Sequence, residues 1–372
     1  MNMLSWLEEN IGRRYGNFID GEWQDAGANA VPIHNPARKE QVLGYFAESS
    51  ADEVNLAVEA AHRAWKSWRE VPGPDRGAIL FRAADILERR VDDIAFALSA
   101  EQGKILAEAR GEVMRAAKEL RFCAGEASRI DGDTLPSEKR NGLAMTLREP
   151  VGVIAAIAPW NFPVVTPVRK IGPALAYGCT VVFKPSNFTP WSAAKLMDVF
   201  AEAGLPKGVV NLVLGTGRTA GEAMTRHPLV RGVSFTGSTK TGSEINAQVA
   251  RRFVRTQLEL GGKNPVIVFA DADLERAADA AVFMIYSLNG ERCTSSSRLL
   301  VEASIHDAFV EKVAERARHI KIGHPLDPET VIGPLIHPNH EKKVLSYFDL
   351  ARAEGATVAT GGEKVGEEGC YV

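Results

Sequence analysis

The sequence predicts an α/β fold built on a doubly wound parallel sheet. After Pro150, short apolar runs rich in β-branched residues alternate with helical segments, and each run is continuous rather than alternating. Continuous runs of this kind are typical of parallel strands that are buried on both faces. We predict strands at Val151–Ile157, Thr180–Phe183, Val209–Leu214, Val230–Phe235 and Val266–Phe269. Such sheets bind ligands at the carboxyl ends of their strands, so the loops that follow the strands should carry the functional residues.

The chain before Pro150 predicts a hairpin followed by helices. Asp20-Gly21 stands between the apolar flanks of Phe18–Trp23, which is a strong short-range hairpin signal. Ser50 and Glu53 form a capping box for a helix that runs towards Trp68. Helical periodicity then continues, with breaks, to about Ala127. The polar segment 128–141 is predicted to be a linker or excursion outside the core.

Composition places the chain among globular enzymes of two or three domains. It has 372 residues, of which 45% are hydrophobic and 24% are charged, and its net charge is −3. No basic stripe is present, which argues against nucleic acid or an anionic membrane as a partner. The longest apolar stretch is far too short to span a bilayer. Glu8 and Glu9 stand where a signal peptide needs an apolar core, so we expect a cytoplasmic protein.

The cysteines and histidines predict neither a disulfide framework nor a metal site. The four cysteines are widely scattered and form no C-x-x-C pair. His337 and His340 have a ligand-like spacing, but Pro338 lies between them and no acidic or Cys partner is near. A surface turn is the favoured interpretation of that pair, and no metal is predicted.

Two glycine-containing loops each follow a predicted strand. The first is Gly215–Gly221, and the second runs from Phe235 to Gly242 and opens a helix. Glycines let the backbone approach a phosphate, and a helix N-terminus offers free N–H groups and a positive dipole. Two such loops on one sheet favour a dinucleotide site, although two ordinary turns between strand and helix would have the same spacing.

Three further residues suggest chemistry. Cys293 stands in a polar segment beside Arg292, where a cation favours the thiolate, although a cysteine is by default a small buried residue. Glu259 lies between leucines, and an apolar environment would raise its pKa for general-base work; the alternative is an ion pair with Lys263. Asn161 offers an amide that could stabilise an oxyanion or could simply bond the backbone in a tight turn.

Taken together, these motifs resemble the aldehyde dehydrogenase superfamily. The resemblance rests on Pro159–Pro163, Phe183–Ser186, Phe235–Ser238, Glu259–Lys263 and the late Cys293, which occur in the family's order and with comparable spacing. It extends from Phe18 to the last residue. The resemblance implies that Cys293 is the nucleophile and that Asn161 and the Cys293 backbone N–H hold the oxyanion. It further implies that Glu259 activates the hydrolytic water, with Lys170 near the path of the proton.

The resemblance also implies NAD or NADP as the cofactor, with Lys184 on the adenosine ribose and Ser238 on the pyrophosphate. Asn187 stands where the family often has a glutamate, and Lys240 adds a positive charge nearby, so we expect NADP to be tolerated or preferred. The predicted cofactor-binding residues are Ile157, Pro159, Trp160, Lys184, Ser186, Asn187, Gly217, Gly221, Phe235, Gly237, Ser238 and Leu260.

The predicted substrate is a small aldehyde that carries a carboxylate. Arg169 precedes Lys170 at a position that lines the family's substrate tunnel, and an arginine there resembles the succinate-semialdehyde branch, where it clamps the distal carboxylate. Phe162 and Arg292 complete the predicted substrate set. A surface ion pair is the alternative interpretation of Arg169, and a general aliphatic or aromatic aldehyde is the alternative substrate.

By the same resemblance, residues 1–127 and 142–260 form a Rossmann-like NAD(P)-binding domain and 128–141 a small β oligomerisation arm. Residues 261–372 form a second α/β domain, the catalytic one, which is expected to be incomplete because the family continues past this C-terminus. A homodimer or homotetramer is expected of the full-length form. A CoA-acylating enzyme would lack Glu259, and a non-catalytic fragment remains the other alternative.

Overall fold

The computed structural model describes residues 3–372 as an α/β arrangement of helices around parallel strands. The strands are β1 (Arg13–Tyr15), β2 (Phe18–Ile19), β3 (Glu22–Trp23), β4 (Val31–Asn35), β5 (Arg38–Phe46), β6 (Thr134–Leu135), β7 (Ala144–Met145), β8 (Val153–Ile157), β9 (Thr180–Lys184), β10 (Val210–Leu212), β11 (Val230–Thr236), β12 (Arg255–Glu259), β13 (Asn264–Val268) and β14 (Ser296–Val301). The α-helices are α1 (Met3–Asn10), α2 (Ala51–Trp68), α3 (Gly73–Arg89), α4 (Val91–Gln102), α5 (Leu106–Glu126), α6 (Val165–Ala176), α7 (Pro190–Glu202), α8 (Glu222–Arg226), α9 (Thr239–Ala250), α10 (Leu274–Tyr286), α11 (His306–Arg318) and α12 (Pro338–Ala353).

The main sheet has seven strands in the order β12-β11-β8-β9-β10-β2-β3. The five strands from β12 to β10 are parallel. Four of the predicted strands are therefore confirmed as neighbours in one doubly wound sheet. The fifth is not: β13, which contains most of Val266–Phe269, pairs with β14 in a separate two-stranded sheet. An apolar run predicts a buried strand but carries no information on its partner, which explains the error.

The predicted hairpin forms an antiparallel edge of this sheet. Asp20 and Gly21 both have positive φ angles, 54° and 79°, as a two-residue turn matched to the strand twist requires. β2 pairs with β10 through Phe18 and Leu212. The Asp20 N–H donates to the Asn211 side chain at 2.9 Å, which holds the turn against the sheet.

The helices before the sheet follow the sequence signals closely. The capping box of α2 is present, with Ser50 and Glu53 bonded reciprocally. Thr189 stands at the start of α7 with Pro190 at the first helical position, but the Thr189 side chain does not cap the helix. Instead, the carboxylate of Glu101, at the end of α4, accepts hydrogen bonds from the N–H groups of Trp191 at 2.8 Å and Ser192 at 2.7 Å.

The predicted excursion is a short exposed hairpin. β6 and β7 pair as antiparallel strands, with Leu135 and Met145 about half exposed. The second strand lies beyond the boundary predicted at residue 141, because strands of two residues leave no apolar pattern in the sequence. No helix within residues 3–372 is long and apolar enough to cross a membrane.

Residues after Gly261 build a smaller sheet with its own core. β13 and β14 pair in parallel, and α10 and α11 pack beside them. The buried side chains of this core are Val268, Ala278, Ala281 and Phe309. The nucleophile segment predicted at Cys293 therefore lies between α10 and β14.

Candidate active site

The predicted functional loops meet at the carboxyl edge of the main sheet. Pro159–Asn161 follows β8, Lys184 ends β9, the Gly237–Ser238 turn follows β11, and Glu259 ends β12. These four strands are parallel, so their carboxyl ends lie at the same edge. The loops that were predicted to carry functional residues therefore lie together at one edge of the sheet.

A cleft of about 510 Å³ opens at this edge, between the π-helical turn Gly217–Gly221, α8 and α9. Of the predicted cofactor residues, Ile157, Lys184, Gly217, Gly221 and Phe235 line it. Sequence analysis did not single out its other lining residues, which are Arg218, Glu222, Thr225, Arg226, Thr241, Glu244, Ile245 and Gln248. Their only sequence signal is position: they lie in the two glycine-containing loops or on the helices that follow these loops.

The remaining predicted cofactor residues lie around this cleft rather than in its wall. Ser186 and Asn187 line a neighbouring cleft of about 250 Å³. Leu260 packs against α9, since a Cβ added at Gly242 would lie 2.7 Å from the Leu260 side chain. The others outside the wall are Pro159, Trp160, Gly237 and Ser238.

Lys184 is a buried cation in the wall of the larger cleft. Its Nζ donates to the carbonyls of Pro185 at 2.6 Å and Gly215 at 2.8 Å. Burial lowers the pKa of Lys184 to about 8, and the carboxylate of Glu48 opposes that effect. The bonds to two carbonyls fix the direction of the side chain.

The start of α9 offers an anion-binding geometry. Ser238 is the N-cap of the helix, and its Oγ accepts from the Thr241 N–H at 3.2 Å. The remaining N–H groups of the first turn have no partner within the helix. A side chain at Gly237 would collide with the Phe235 ring, at 2.5 Å from its Cζ, so the backbone stays uncovered here.

Asn161 is held against the segment that contains Cys293. The Asn161 Nδ2 donates to the main-chain carbonyl of Glu291 at 2.8 Å. Asn264 holds the same segment from the other side, because its Nδ2 donates to the carbonyl of Cys293 at 2.7 Å. Cys293 itself is exposed. The alternative in which Asn161 bonds the backbone is therefore observed, and that backbone belongs to the segment of the predicted nucleophile, Cys293.

A left-handed kink precedes Cys293, the predicted nucleophile. Leu288 and Asn289 have φ angles of 54° and 55°, which ordinary side chains adopt at a cost of about 1–3 kcal/mol each. The Leu288 N–H donates to Glu108 at 2.8 Å, and the Asn289 side chain bonds Gly333 and Pro334. The strained turn is thus held by hydrogen bonds from outside the segment, as strained functional loops commonly are.

Glu259 does not have the apolar environment that the flanking leucines suggested. It is exposed at the end of edge strand β12, and its carboxylate accepts from Gln257 Nε2 at 3.0 Å rather than from Lys263. The strand alternates between exposed and half-buried residues, so the leucines point away from the carboxyl. Both the apolar setting and the alternative ion pair with Lys263 were wrong.

Lys170 lies beneath this end of the sheet. It is 5% exposed, and its Nζ donates to Thr236 at 2.7 Å and to Ser234 at 3.1 Å. Burial lowers the pKa of Lys170 to about 8, while the carboxylate of Glu259 favours the charged form. The structure therefore places Lys170 and Glu259 close enough to influence one another.

The predicted substrate residues do not form one cluster. Arg169 is exposed on α6 and pairs with Glu119 at 2.9 Å, which is the alternative considered for it. Arg292 bonds Ser287 at 2.6 Å. Phe162 lies under the Lys104 ammonium, at 4.7 Å from ring centre to Nζ.

The histidine pair takes part in a helix start. His337 is the N-cap of α12, and its ring nitrogen accepts from the Asn339 N–H at 3.1 Å. Pro338 occupies the first helical position, which its fixed φ suits. No three His, Cys, Asp or Glu side chains within residues 3–372 lie together as a metal-binding group.

The buried carboxyl of Glu291 predicts a pH-dependent stability. Burial raises its pKa from 4.5 to about 8, so the folded chain binds this proton more tightly than the unfolded chain does. The contribution to stability is complete below the unfolded pKa and is lost as pH rises through the folded one. In the wild type, the free energy of unfolding should fall as pH rises from 4.5 to about 8. We expect this fall to be smaller in Glu291→Gln, as measured by urea titrations at several pH values. Glu363→Gln, at an exposed carboxyl, should retain the wild-type slope.

A parallel sheet with a cleft at the carboxyl ends of its strands is typical of nucleotide-binding α/β proteins. Residues 23–372 match the Aldehyde dehydrogenase family, and the chain belongs to that family. It is 43% identical to the alpha-ketoglutaric semialdehyde dehydrogenase of Bacillus subtilis, over 96% of this chain and 73% of that protein. It is 41% identical to the succinate-semialdehyde dehydrogenase [NADP(+)] GabD of Escherichia coli, over 96% of this chain and 74% of that protein.

Solved structures agree with the fold. The crystal structure of HpcC from Thermus thermophilus has a TM-score of 0.96 and 43% sequence identity, covering 100% of this chain and 73% of that one. The NAD+ complex of an aldehyde dehydrogenase from Bacillus cereus has a TM-score of 0.94 and 37% identity, covering 99% of this chain and 75% of that one. The α/β class predicted from the sequence is confirmed.

Proposed function

We propose that this chain oxidises a carboxylate-bearing semialdehyde to the corresponding acid, with NAD or NADP as hydride acceptor. The observation that carries the proposal is the hydrogen bond of 2.8 Å from Asn161 to the Glu291 carbonyl. It holds the predicted oxyanion donor against the segment of the predicted nucleophile, Cys293. The names of the relatives, which include succinate- and alpha-ketoglutaric semialdehyde dehydrogenases, support the substrate class.

The cleft fits a dinucleotide. Lys184 lies in its wall, and the first turn of α9, with Ser238 at its N-cap and the uncovered Gly237, offers N–H groups to a pyrophosphate. A bound nicotinamide would supply the hydride acceptor. The charged residues Arg218, Glu222 and Arg226 add polar partners for the adenosine half.

In the proposed mechanism, the Cys293 thiolate attacks the aldehyde carbonyl and forms a thiohemiacetal. The Asn161 amide has two hydrogens, so it keeps the Glu291 carbonyl with one and offers the other to the oxyanion, beside the Cys293 N–H. After oxidation to the thioester, Glu259 takes a proton from the attacking water. Lys170 donates to Thr236 at the end of the neighbouring strand β11, and the Glu259 carboxylate favours the charged form of Lys170.

The division of the chain is part of the same proposal. Residues 1–127 and 142–260 bind the nucleotide, 128–141 belong to an oligomerisation arm, and 261–372 carry the catalytic cysteine. The exposed Leu135 of the arm supports a role in subunit contact, and the exposed Met145 lies beyond residue 141 on the strand that pairs with the arm. A homodimer or homotetramer and a cytoplasmic location are inferred from the sequence.

We expect NADP+ to be used at least as well as NAD+. Asn187 is exposed beside the cofactor cleft and carries no charge that would repel a 2′-phosphate. Asn187→Glu should lower kcat/KM for NADP+ by about tenfold or more and leave kcat/KM for NAD+ nearly unchanged. The reason is that the new carboxylate would repel the 2′-phosphate, which only NADP+ carries. Asn187→Gln is the matched neutral control. A strong preference of the wild-type chain for NAD+ would refute this expectation.

We expect succinate semialdehyde to be a better substrate than hexanal, measured as kcat/KM. Arg169 must exchange its partner Glu119 for the substrate carboxylate to act as a clamp. Arg169→Ala should then lower kcat/KM by about 10–100-fold for the semialdehyde and leave kcat/KM for hexanal unchanged. A loss of this size corresponds to one hydrogen bond to a charged group. Arg115→Ala removes the other guanidinium on Glu119 and is the control. If kcat/KM falls equally for both aldehydes, or for neither, Arg169 serves only in its ion pair with Glu119. That result would favour a general aldehyde substrate.

A further inference from the structure

The end of α4 and the turn that follows it bury a run of polar side chains that the mechanism does not use. Glu101 is 1% exposed, and Gln102 and Lys104 are 0% exposed. Gly103 between them is left-handed, with a φ angle of 96°. A Cβ at this glycine would lie 2.5 Å from the Pro334 carbonyl, so the turn packs tightly against that chain segment.

Lys104 reaches the loop that carries Asn161. Its Nζ donates to the Asn161 main-chain carbonyl at 2.7 Å and lies 2.5 Å from Glu112 Oε2. The other oxygen of Glu112 accepts from the N–H groups of Val164 at 2.8 Å and Val165 at 3.0 Å. The pair therefore holds the loop at its asparagine and at the first turn of α6, immediately after it.

Gln102 reaches the segment that carries Cys293. Its Nε2 donates to Glu291 Oε2 at 2.8 Å, and its Oε1 accepts from the Lys104 N–H at 3.0 Å. Since Asn161 donates to the Glu291 carbonyl, the hydrogen bonds form a closed ring through Lys104, Asn161, Glu291 and Gln102. A ring of this kind fixes the two loops relative to one another, not only to the core.

Packing alone does not explain why the Lys104–Glu112 ion pair is buried here. A buried ion pair is often replaced by apolar residues of similar volume at no cost in stability, because desolvation offsets the Coulomb attraction. Lys104 and Glu112 are both almost completely buried, with side-chain exposures of 0% and 1%. The Lys104–Glu112 pair fixes the position of the Asn161 carbonyl, because the Lys104 ammonium donates a hydrogen bond to it. An apolar pair could not do so.

We propose that Gln102, at the end of α4, and Lys104, in the turn after it, position the catalytic loops. Lys104 sets the orientation of Asn161 through its main-chain carbonyl, and Gln102 sets the Cys293 segment through the Glu291 carboxyl. Neither side chain touches the reacting atoms. The inference rests on the proposed function, in which Asn161 donates to the oxyanion that forms at Cys293.

The test compares Lys104→Met with Lys195→Met, a matched control whose ammonium pairs with Asp93 at 2.8 Å. We expect Lys104→Met to lower the rate of hydride transfer in the first turnover by about 10–100-fold, with nucleotide affinity unchanged, because displacement of a donor by ångströms is costly. The control should keep the wild-type rate. The double variant Lys104→Met/Glu112→Gln removes both charges of the buried ion pair. It replaces Lys104→Met in the test if the single variant does not fold. Lys104→Met/Asn161→Ala should lose no more rate than Asn161→Ala, since both act at one donor.

Amide hydrogen exchange gives a second readout that does not depend on activity. The peptide Trp160–Val165 should exchange faster in Lys104→Met than in the wild type, with no change in Lys195→Met. Unchanged exchange, an unchanged hydride-transfer rate, or a full additional loss in the double variant with Asn161→Ala would each overturn the proposal. If the wild-type chain itself transfers no hydride, the proposed function fails, and faster exchange would still support the positioning of the loop.

Discussion

Cys293→Ala is expected to abolish aldehyde oxidation, with a loss of at least about 10⁴-fold in kcat, because no other group can form the thiohemiacetal. The structure supports a single reactive thiol. Of the four cysteines, all within the described residues, Cys293 alone is exposed. Burial raises the pKa of Cys123 to about 11 and that of Cys370 to about 12, and it also raises the pKa of Cys179.

The measurement is steady-state reduction of the nucleotide with a semialdehyde, together with mass spectrometry after brief exposure to iodoacetamide. One equivalent of label on the wild-type chain and none on Cys293→Ala is expected. Cys123→Ala, at a buried thiol, should keep both the activity and the single label. Turnover by Cys293→Ala would remove this residue from the mechanism.

Glu259→Gln is expected to give a burst of reduced nucleotide, at most one equivalent per chain, followed by turnover slower by about 10²–10⁴-fold. The amide cannot accept the proton of the attacking water, so the thioester accumulates. Because Glu259 is exposed and its carboxylate accepts only one hydrogen bond from a protein side chain, that of Gln257, the substitution should not disturb the fold.

Stopped-flow absorbance of the reduced nucleotide separates the two phases. Glu354→Gln, at another exposed carboxyl, should turn over like the wild type. If the burst is absent, Glu259 acts at or before the hydride-transfer step. If turnover is unimpaired, Glu259 is not the base that activates the water.

The sequence predicted the sheet and the order of the site because both depend on local patterns. The strands that became β8 to β11 are continuous apolar runs, and the capping box at Ser50 and the Asp20-Gly21 turn need only near neighbours. The partner of β13 and the exposure of Glu259 were mistaken, since both depend on which chain segment lies alongside.

The buried turn at Gln102 and Lys104 shows the same limit within the site. Polar residues in a short turn between two helices usually predict a solvated loop. Their burial becomes evident only when the loops of Asn161 and Cys293, distant in sequence, are brought against them. Arg169 is the converse case, because a tunnel position in the resemblance is an exposed ion pair in this structure.

The hairpin of β2 and β3 has a consequence for how this chain should be expressed. It covers the hydrogen-bonding edge of β10, a strand whose residues are fully buried. Removal of the first 23 residues would leave that edge open, as a template on which another chain could add a strand. Variants that start after Trp23 are therefore expected to self-associate even though every predicted catalytic residue is retained.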